Sequence, residues 1–103
     1  MIVTDKGIVS SGLIEPALAS LQAAGISSVV YTDVIADPPE SVVEQSLVFA
    51  REQQIDGVIG LGGGSSLDVA KVIALLTHSA QTLQQVYGVG NAKGTRLPLI
   101  QIP

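Results

Sequence analysis

The chain has 103 residues, of which only 14% are charged, against roughly 25% in ordinary soluble domains. At this length there is room for one domain and one core, so an enzyme whose site lies between two domains cannot be complete in this chain. Nine acidic and five basic residues give a net charge of −4 without any run of like charges, which excludes a nucleic-acid-binding face built from clustered Lys and Arg.

Short segments rich in β-branched residues alternate with longer amphipathic segments, which is the pattern of βαβ units. Ile2–Thr4 predicts the end of a first strand. Leu13–Ala24 predicts a helix, because its apolar side chains recur three and four residues apart and Gly25 can end it. Val29–Thr32, with β-branched and aromatic side chains, predicts a second strand.

A second helix is expected to begin within the segment Asp37-Pro38-Pro39-Glu40. Asp37 suits its N-cap and Pro38 its first helical position, where the N–H that proline lacks would have no partner in any case. Val43, Leu47 and Ala50 then recur at helical spacing and predict the face that packs on the core.

Val58–Leu61 is apolar throughout, which predicts a third strand covered on both faces. Ser65 is expected to cap a third helix that runs to about Thr77 and is apolar around most of its circumference. The stretch 82–96 has no clear period, and Leu97–Ile102 predicts a fourth strand. These elements predict the α/β class, with a mostly parallel sheet, flanking helices and a Rossmann-like arrangement.

Three consecutive glycines, Gly62, Gly63 and Gly64, come directly after the third strand, at the edge where parallel α/β sheets bind ligands. Glycine permits positive φ and close approach to a ligand, and the following helix presents free N–H groups with a partial positive charge. An anionic diphosphate suits such a place. The alternative is purely structural, a tight turn in which Ser65 and Asp68 form a capping box.

This glycine turn departs from both common nucleotide-binding fingerprints. After Gly60 and Gly62, a G-x-G-x-x-G pattern needs its third glycine where Ser65 stands, and no Gly-Lys-Ser or Gly-Lys-Thr sequence provides a P-loop. The residues alone therefore indicate an anion-binding turn of neither standard kind.

Asp5 is the second candidate, because it follows the first strand and should lie at the same edge of the sheet as the glycine turn. Its carboxylate could accept hydrogen bonds from a ribose 2′-hydroxyl and would repel a 2′-phosphate, which favours NAD over NADP. In the usual fingerprint the acid follows the glycines by ~20 residues, whereas Asp5 precedes them. On spacing alone, a solvated loop acid is therefore the alternative.

The segments Val3–Gly7 (VTDKG) and Gly62–Lys71 (GGGSSLDVAK) resemble the iron-containing (group III) alcohol dehydrogenases, and the resemblance runs the whole length of the chain. It implies an incomplete N-terminal domain, residues 1–103, that binds a nicotinamide dinucleotide and has the fold of dehydroquinate synthase and its relatives. A helical C-terminal domain with a divalent metal, iron or zinc, would follow in the parent.

The resemblance also implies individual roles in cofactor binding. Gly63, Gly64 and Ser65 would hold the pyrophosphate, Asp68 would face the cofactor from the first turn of the helix, and Asp5 would be the acid that contacts the ribose of NAD. Similar family members often have Pro-Asn-Pro after the second strand, whereas this chain has Ala-Asp-Pro, so Asp37 is left out of the site.

The parent is expected to be a cytoplasmic homo-oligomer that transfers a hydride between a small alcohol or aldehyde and NAD. The chain has no cysteine and one histidine, His78, so it is not expected to bind the metal or to be active alone. Its longest aliphatic run near a helix, Val72–Leu76, is far below the ~20 residues that span a bilayer, so no membrane partner is expected.

Two alternatives to this interpretation stay open. One keeps the fold and changes the enzyme to a relative of glycerol dehydrogenase or dehydroquinate synthase. The other is a non-catalytic α/β module that associates with other proteins through its apolar surface.

Overall fold

A parallel sheet of four short strands runs through the residues that the structure describes, which are 1–36, 38–78 and 96–103. The strands of this computed structural model are β1 (Ile2–Val3), β2 (Val30–Tyr31), β3 (Val58–Leu61) and β4 (Leu99–Ile102). Their order across the sheet is β2-β1-β3-β4, and all three neighbouring pairs are parallel. The predicted α/β class and parallel sheet are confirmed.

The order of the strands creates a switch point between β1 and β3. From β1 the chain first moves outward to β2 on one side and then returns to place β3 on the other side of β1. In open parallel sheets, the connections from two such neighbouring strands lead away in opposite directions and leave a crevice at their carboxyl ends. The residues directly after β1 and β3 border this crevice.

Helices connect the strands within the described residues. They are α1 (Lys6–Ser10), α2 (Glu15–Ala23), α3 (Glu40–Glu52) and α4 (Gly64–Leu76). Helix α1 was not predicted from the sequence, because five residues that include a glycine are too short to display a helical period. None of these helices is long and apolar enough to cross a membrane.

Helix α3 begins two residues later than predicted. Its N-cap is Pro39, with φ −67° and ψ 159°, and Glu40 is its first residue. The assignment of Pro38 to the first turn was wrong because Pro39 follows it, and a residue that precedes proline is sterically kept out of the helical region. The predicted N-cap, Asp37, and most of the stretch 82–96 lie outside the described residues.

The main core lies between the sheet and one layer formed by α3 and α4. The predicted stripe of Val43, Leu47 and Ala50 is buried, and it packs with buried residues of α4 such as Ile73. Burial along β3 alternates, since Val58 and Gly60 are buried whereas the residues between and after them are half-buried. Helix α4 therefore covers one face of β3, and the other face is less covered than the apolar sequence predicts.

Tyr31 is buried, with 6% of the residue exposed, and its ring contacts Phe49 edge to face with centroids 5.4 Å apart. Burial, and secondarily the carboxylate of Asp33, raises the pKa of Tyr31 above its ordinary value. The unfolded chain therefore loses this proton at a lower pH than the folded chain, so the stabilising effect is present below about pH 10 and is lost as the pH rises further.

We expect Tyr31→Phe to flatten this alkaline loss of stability. The free energy of unfolding, measured by urea denaturation from about pH 8 to pH 11, should fall more steeply in the unchanged protein than in the variant. Parallel pH profiles for the two proteins would contradict the burial of the phenol.

Candidate functional site

The carboxyl ends of β1 and β3 are joined by a partly buried hydrogen bond. The hydroxyl of Thr4, which is fully buried, donates to the carbonyl oxygen of Leu61 over 2.8 Å. This bond brings the residue after Thr4 close to the residue after Leu61. Asp5 and Gly62, far apart in the chain, consequently become neighbours at the switch point.

Asp5 has a structural role that the sequence did not reveal. It is the N-cap of α1, and its Oδ1 accepts a hydrogen bond from the backbone N–H of Ile8 over 2.9 Å. Its Oδ2 lies on the side of the glycine turn, since a Cβ built on Gly62 would be 3.5 Å from this oxygen. The carboxylate is therefore held in a fixed orientation at the crevice rather than free in a solvated loop.

Of the three consecutive glycines, Gly62 alone has a positive φ, of 127°. Its N–H donates to the carbonyl oxygen of Ile102 over 3.0 Å, which ties the start of the turn to β4. Gly63 is extended, with φ −80° and ψ −177°, and serves as the N-cap of α4. The turn thus needs the backbone freedom of glycine at its first position only.

The amino end of α4 has no side-chain cap among the described residues. The prediction that Ser65 is the N-cap was wrong, because the helix begins at Gly64 and no capping-box hydrogen bond forms with Asp68. The first intrahelical bond runs from the N–H of Leu67 to the carbonyl of Gly63 over 3.1 Å. The N–H groups before Leu67 are left to face outward, where they carry the positive end of the helix dipole.

The described residues leave the space above this helix end open. A Cβ on Gly63 or on Gly64 would meet none of their atoms within 4 Å, so packing within the described part of the chain requires neither glycine. Glycine at such positions is most useful when something outside the fold must approach the backbone closely.

Most of the predicted site residues line one cleft of about 220 Å³. It is lined by four of the five predicted residues, together with Ser66 and the segment that follows β2. The four are Asp5, Gly63, Gly64 and Ser65. The fifth, Asp68, lines a separate groove of about 420 Å³ between α3 and α4 and is not brought into the cleft.

Sequence reasoning missed two parts of this cleft. Ser66 is 1% exposed and reaches the cleft from the first turn of α4. Val34, Ile35 and Ala36 close it from the other side, and the bridge between Asp5 and Asp33 holds their loop in place. The rule that loops after parallel strands gather at one edge could have predicted this segment, since it follows β2.

The cleft combines two kinds of polarity. One wall carries the carboxylate of Asp5, which accepts hydrogen bonds, and the floor carries the N–H groups and positive dipole end of α4. The carboxylate of Asp5 suits the hydroxyl groups of a ligand, and the amino end of α4 suits an anionic phosphate. A ligand that has both groups within a few ångströms of each other matches the cleft.

Two larger cavities, of about 410 and 450 Å³, lie at the amino edge of the sheet and share the residues Ile26–Ser28. No described helix begins in either cavity, so neither has the free N–H groups and the positive dipole end of a helix start. For metals, the described residues contain no group of three or more His, Cys, Asp or Glu side chains that could hold an ion.

Comparison with known proteins gives concordant matches. A family profile described as iron-containing alcohol dehydrogenase matches residues 1–103. The chain is 39% identical over 110 aligned positions to a long-chain-alcohol dehydrogenase of Geobacillus thermodenitrificans, and this match covers 100% of the chain but 27% of that protein.

The chain also matches solved structures. An iron-containing alcohol dehydrogenase from Thermotoga maritima superposes with a TM-score of 0.88 at 26% identity, over 99% of this chain and 28% of that one. A sulfoacetaldehyde reductase from Bifidobacterium kashiwanohense, solved in complex with NAD+, superposes with a TM-score of 0.81 at 28% identity, over 99% and 27%. The chain thus spans about a quarter of the length of the relatives that it matches.

Proposed function

Because the chain belongs to the family of iron-containing alcohol dehydrogenases, we propose that the cleft at the carboxyl ends of β1 and β3 binds the diphosphate and the adjoining ribose of NAD. The observation that carries this proposal is the amino end of α4, which no described side chain caps and which opens into the same cleft as Asp5. The solved relative in complex with NAD+ supports the same cofactor.

The described residues suit the diphosphate. Gly63 and Gly64 leave room for its oxygens to approach the backbone, and the N–H groups of the first turn of α4 donate to them. Hydrogen bonds must supply most of the affinity, since a helix dipole contributes only ~0.3–1 kcal/mol at an exposed site. When bound, NAD would supply the acceptor for a hydride.

The size of the cleft limits what this chain holds. Its volume of about 220 Å³ is below the roughly 300–1,000 Å³ of pockets that enclose a whole ligand. We therefore propose that residues 1–103 contact a part of the dinucleotide. The resemblance also assigns Asp68 to the cofactor, and such a contact requires the dinucleotide to extend along α4 over the neighbouring groove.

For the whole protein we propose a cytoplasmic, homo-oligomeric oxidoreductase that transfers a hydride between an alcohol or aldehyde and NAD. The family membership supports this reaction, and the metal that the family name implies does not fit the described residues of this chain. The matched relatives differ in the substrates that their names give, so we propose the substrate only as a member of the class of alcohols and aldehydes.

The family match favours an alcohol dehydrogenase over the alternative of a glycerol dehydrogenase or dehydroquinate synthase relative. The alternative of a non-catalytic module has one observation in its favour, the exposure of large apolar side chains such as Leu13, Ile26 and Ile100. Titration with NAD separates the two classes, because a module that only associates with other proteins has no reason to bind a dinucleotide.

Asp5→Asn tests the proposed ribose contact without removing the cap of α1. Asparagine caps helices about as well as aspartate, whereas it accepts more weakly from a hydroxyl and does not repel a 2′-phosphate. We expect NAD to bind about tenfold more weakly, the equivalent of ~1.4 kcal/mol, and the preference for NAD over NADP to shrink.

Isothermal titration calorimetry with both dinucleotides measures this effect, and Asp33→Asn serves as the matched control, since Asp33 is exposed and does not line the cleft. An unchanged ratio of NAD to NADP affinity in the Asp5→Asn protein would remove Asp5 from the site. The absence of binding of either dinucleotide to the unchanged chain at millimolar concentration would overturn the proposed function.

A further inference from the structure

Two adjacent residues of β4 hold the glycine turn at both of its ends. The carbonyl of Ile102 accepts from the N–H of Gly62 over 3.0 Å, before the turn. The side-chain Nε2 of Gln101 donates to the carbonyl of Leu67 over 2.8 Å, after the turn and inside the first turns of α4. The four residues between these two anchors, 63–66, all line the cleft.

Gly60 makes the second anchor possible. In the parallel pairing of β3 with β4, Gly60 lies beside Gln101, so their side-chain positions are on the same face of the sheet. A Cβ on Gly60 would overlap Oε1 of Gln101 and lie 2.9 Å from Cβ of Ala70. The missing side chain therefore leaves the passage through which the amide of Gln101 reaches α4.

We propose that Gln101 is a positioning residue for the glycine turn. Its amide fixes the first turns of α4 relative to the carboxyl ends of β3 and β4, and thereby sets the direction of the N–H groups that face the cleft. This inference rests on the proposed function, because the purpose of that alignment is to meet the diphosphate of the dinucleotide.

The surroundings of Gln101 argue against a role in stability alone. Its side chain is exposed, and so is its hydrogen bond to Leu67, which lowers the contribution of that bond to the free energy of unfolding. The helix already supplies the carbonyl of Leu67 with a donor, the N–H of Lys71. What the amide of Gln101 adds is a link between two elements that approach each other at the site.

Gln101→Leu keeps the approximate volume of the side chain and removes the donor. We expect NAD to bind threefold to tenfold more weakly, about the effect of one lost hydrogen bond, while the unfolding transition stays nearly unchanged. Amide hydrogen exchange of the whole chain should be about tenfold faster at Leu67, Asp68 and Lys71, the amides at the start of α4.

Gln53→Leu is the matched control. Gln53 is also exposed, but it lies at the end of α3 and lines a cavity at the amino edge of the sheet. The same chemical change there should alter neither NAD affinity nor exchange in α4.

Gly60→Ala provides a second, independent test through a double-mutant cycle. Because the added methyl displaces the amide of Gln101, Gly60→Ala should weaken NAD binding, and adding Gln101→Leu should then have little further effect. Additive losses in the double variant would overturn the proposal, as would unchanged exchange at Leu67 and Lys71 in Gln101→Leu. If the unchanged chain binds no NAD, the proposed function fails, whereas the exchange measurement still decides whether Gln101 positions the turn.

Discussion

Replacing both Gly63 and Gly64 by alanine should lower the affinity for NAD by about a hundredfold while the fold stays intact. The two methyl groups would not collide with the described part of the chain, since none of its atoms lies within 4 Å of either Cβ position. The same space is where the oxygens of a diphosphate must approach the N–H groups of α4. Losing one hydrogen bond to a charged group costs about 1.5–3 kcal/mol, which is the basis of the expected factor.

The stability of this double variant should change by less than about 1 kcal/mol. Alanine is a somewhat poorer N-cap than glycine at position 63, and it is favoured over glycine within the helix at position 64. Binding is measured by calorimetry and stability by urea denaturation. We expect a loss of NAD affinity without a matching loss of stability only if the glycines leave room for a ligand.

The control is Gly57→Ala, at the amino edge of the sheet, where the added Cβ would make an ordinary contact of 3.8 Å with the carbonyl of Pro98. It should leave the affinity for NAD unchanged. Full NAD binding by the double variant would contradict a diphosphate at the amino end of α4 and would favour a turn that is glycine-rich for structural reasons only.

In contrast to the double variant, Gly62→Ala should lower the free energy of unfolding by about 1–3 kcal/mol. The φ of Gly62 is 127°, a conformation that residues with a Cβ rarely adopt. The new methyl would also lie 3.3 Å from Cγ1 of Ile8 and 3.5 Å from Oδ2 of Asp5. For a domain whose free energy of unfolding is about 5–15 kcal/mol, this loss is readily measured by urea denaturation.

Gly25→Ala is the comparison for that loss. Gly25 has a φ of 73°, close to the left-handed helical region, and a Cβ there would meet no atom of the described residues within 4 Å, so its substitution measures a mild backbone cost alone. Gly62→Ala should lose more stability than Gly25→Ala, because a φ of 127° is less accessible to residues with a Cβ and because the new methyl meets α1 and Asp5. Equal losses would contradict both the greater backbone strain at Gly62 and the contacts with α1 and Asp5.

The regular elements were predictable where local chemistry decides them. The bounds of β3 match the prediction, because an uninterrupted apolar segment followed by glycines has few alternatives. The stripe of Val43, Leu47 and Ala50 follows from the helical period. Two errors lie at helix starts, where Pro38 and Ser65 each satisfy a statistical preference that the actual backbone path does not use.

The candidate site was predictable in part. The glycine turn is visible in the sequence because three glycines between an apolar strand and a helix are unusual. Asp5 was uncertain from spacing, since its distance from the turn along the chain gives no sign of contact. Ser66, the loop at Val34–Ala36 and the link from Gln101 were missed. The loop was predictable from its place after β2, whereas the link depends on the pairing of β3 with β4.

By itself, then, the sequence determined the α/β class and the approximate elements, and it pointed to the glycine turn as a candidate site for an anion, because hydrophobic period and glycine content act over a few residues. The tertiary structure decided that β1 and β3 are adjacent, and with this the meeting of Asp5 with Gly62 through the bond from Thr4 to Leu61. It also decided that Asp68 lines a different groove. The physical reason is that strand order is set by long-range hydrogen bonds and by the packing of α4 on the sheet, which leave no mark on local spacing.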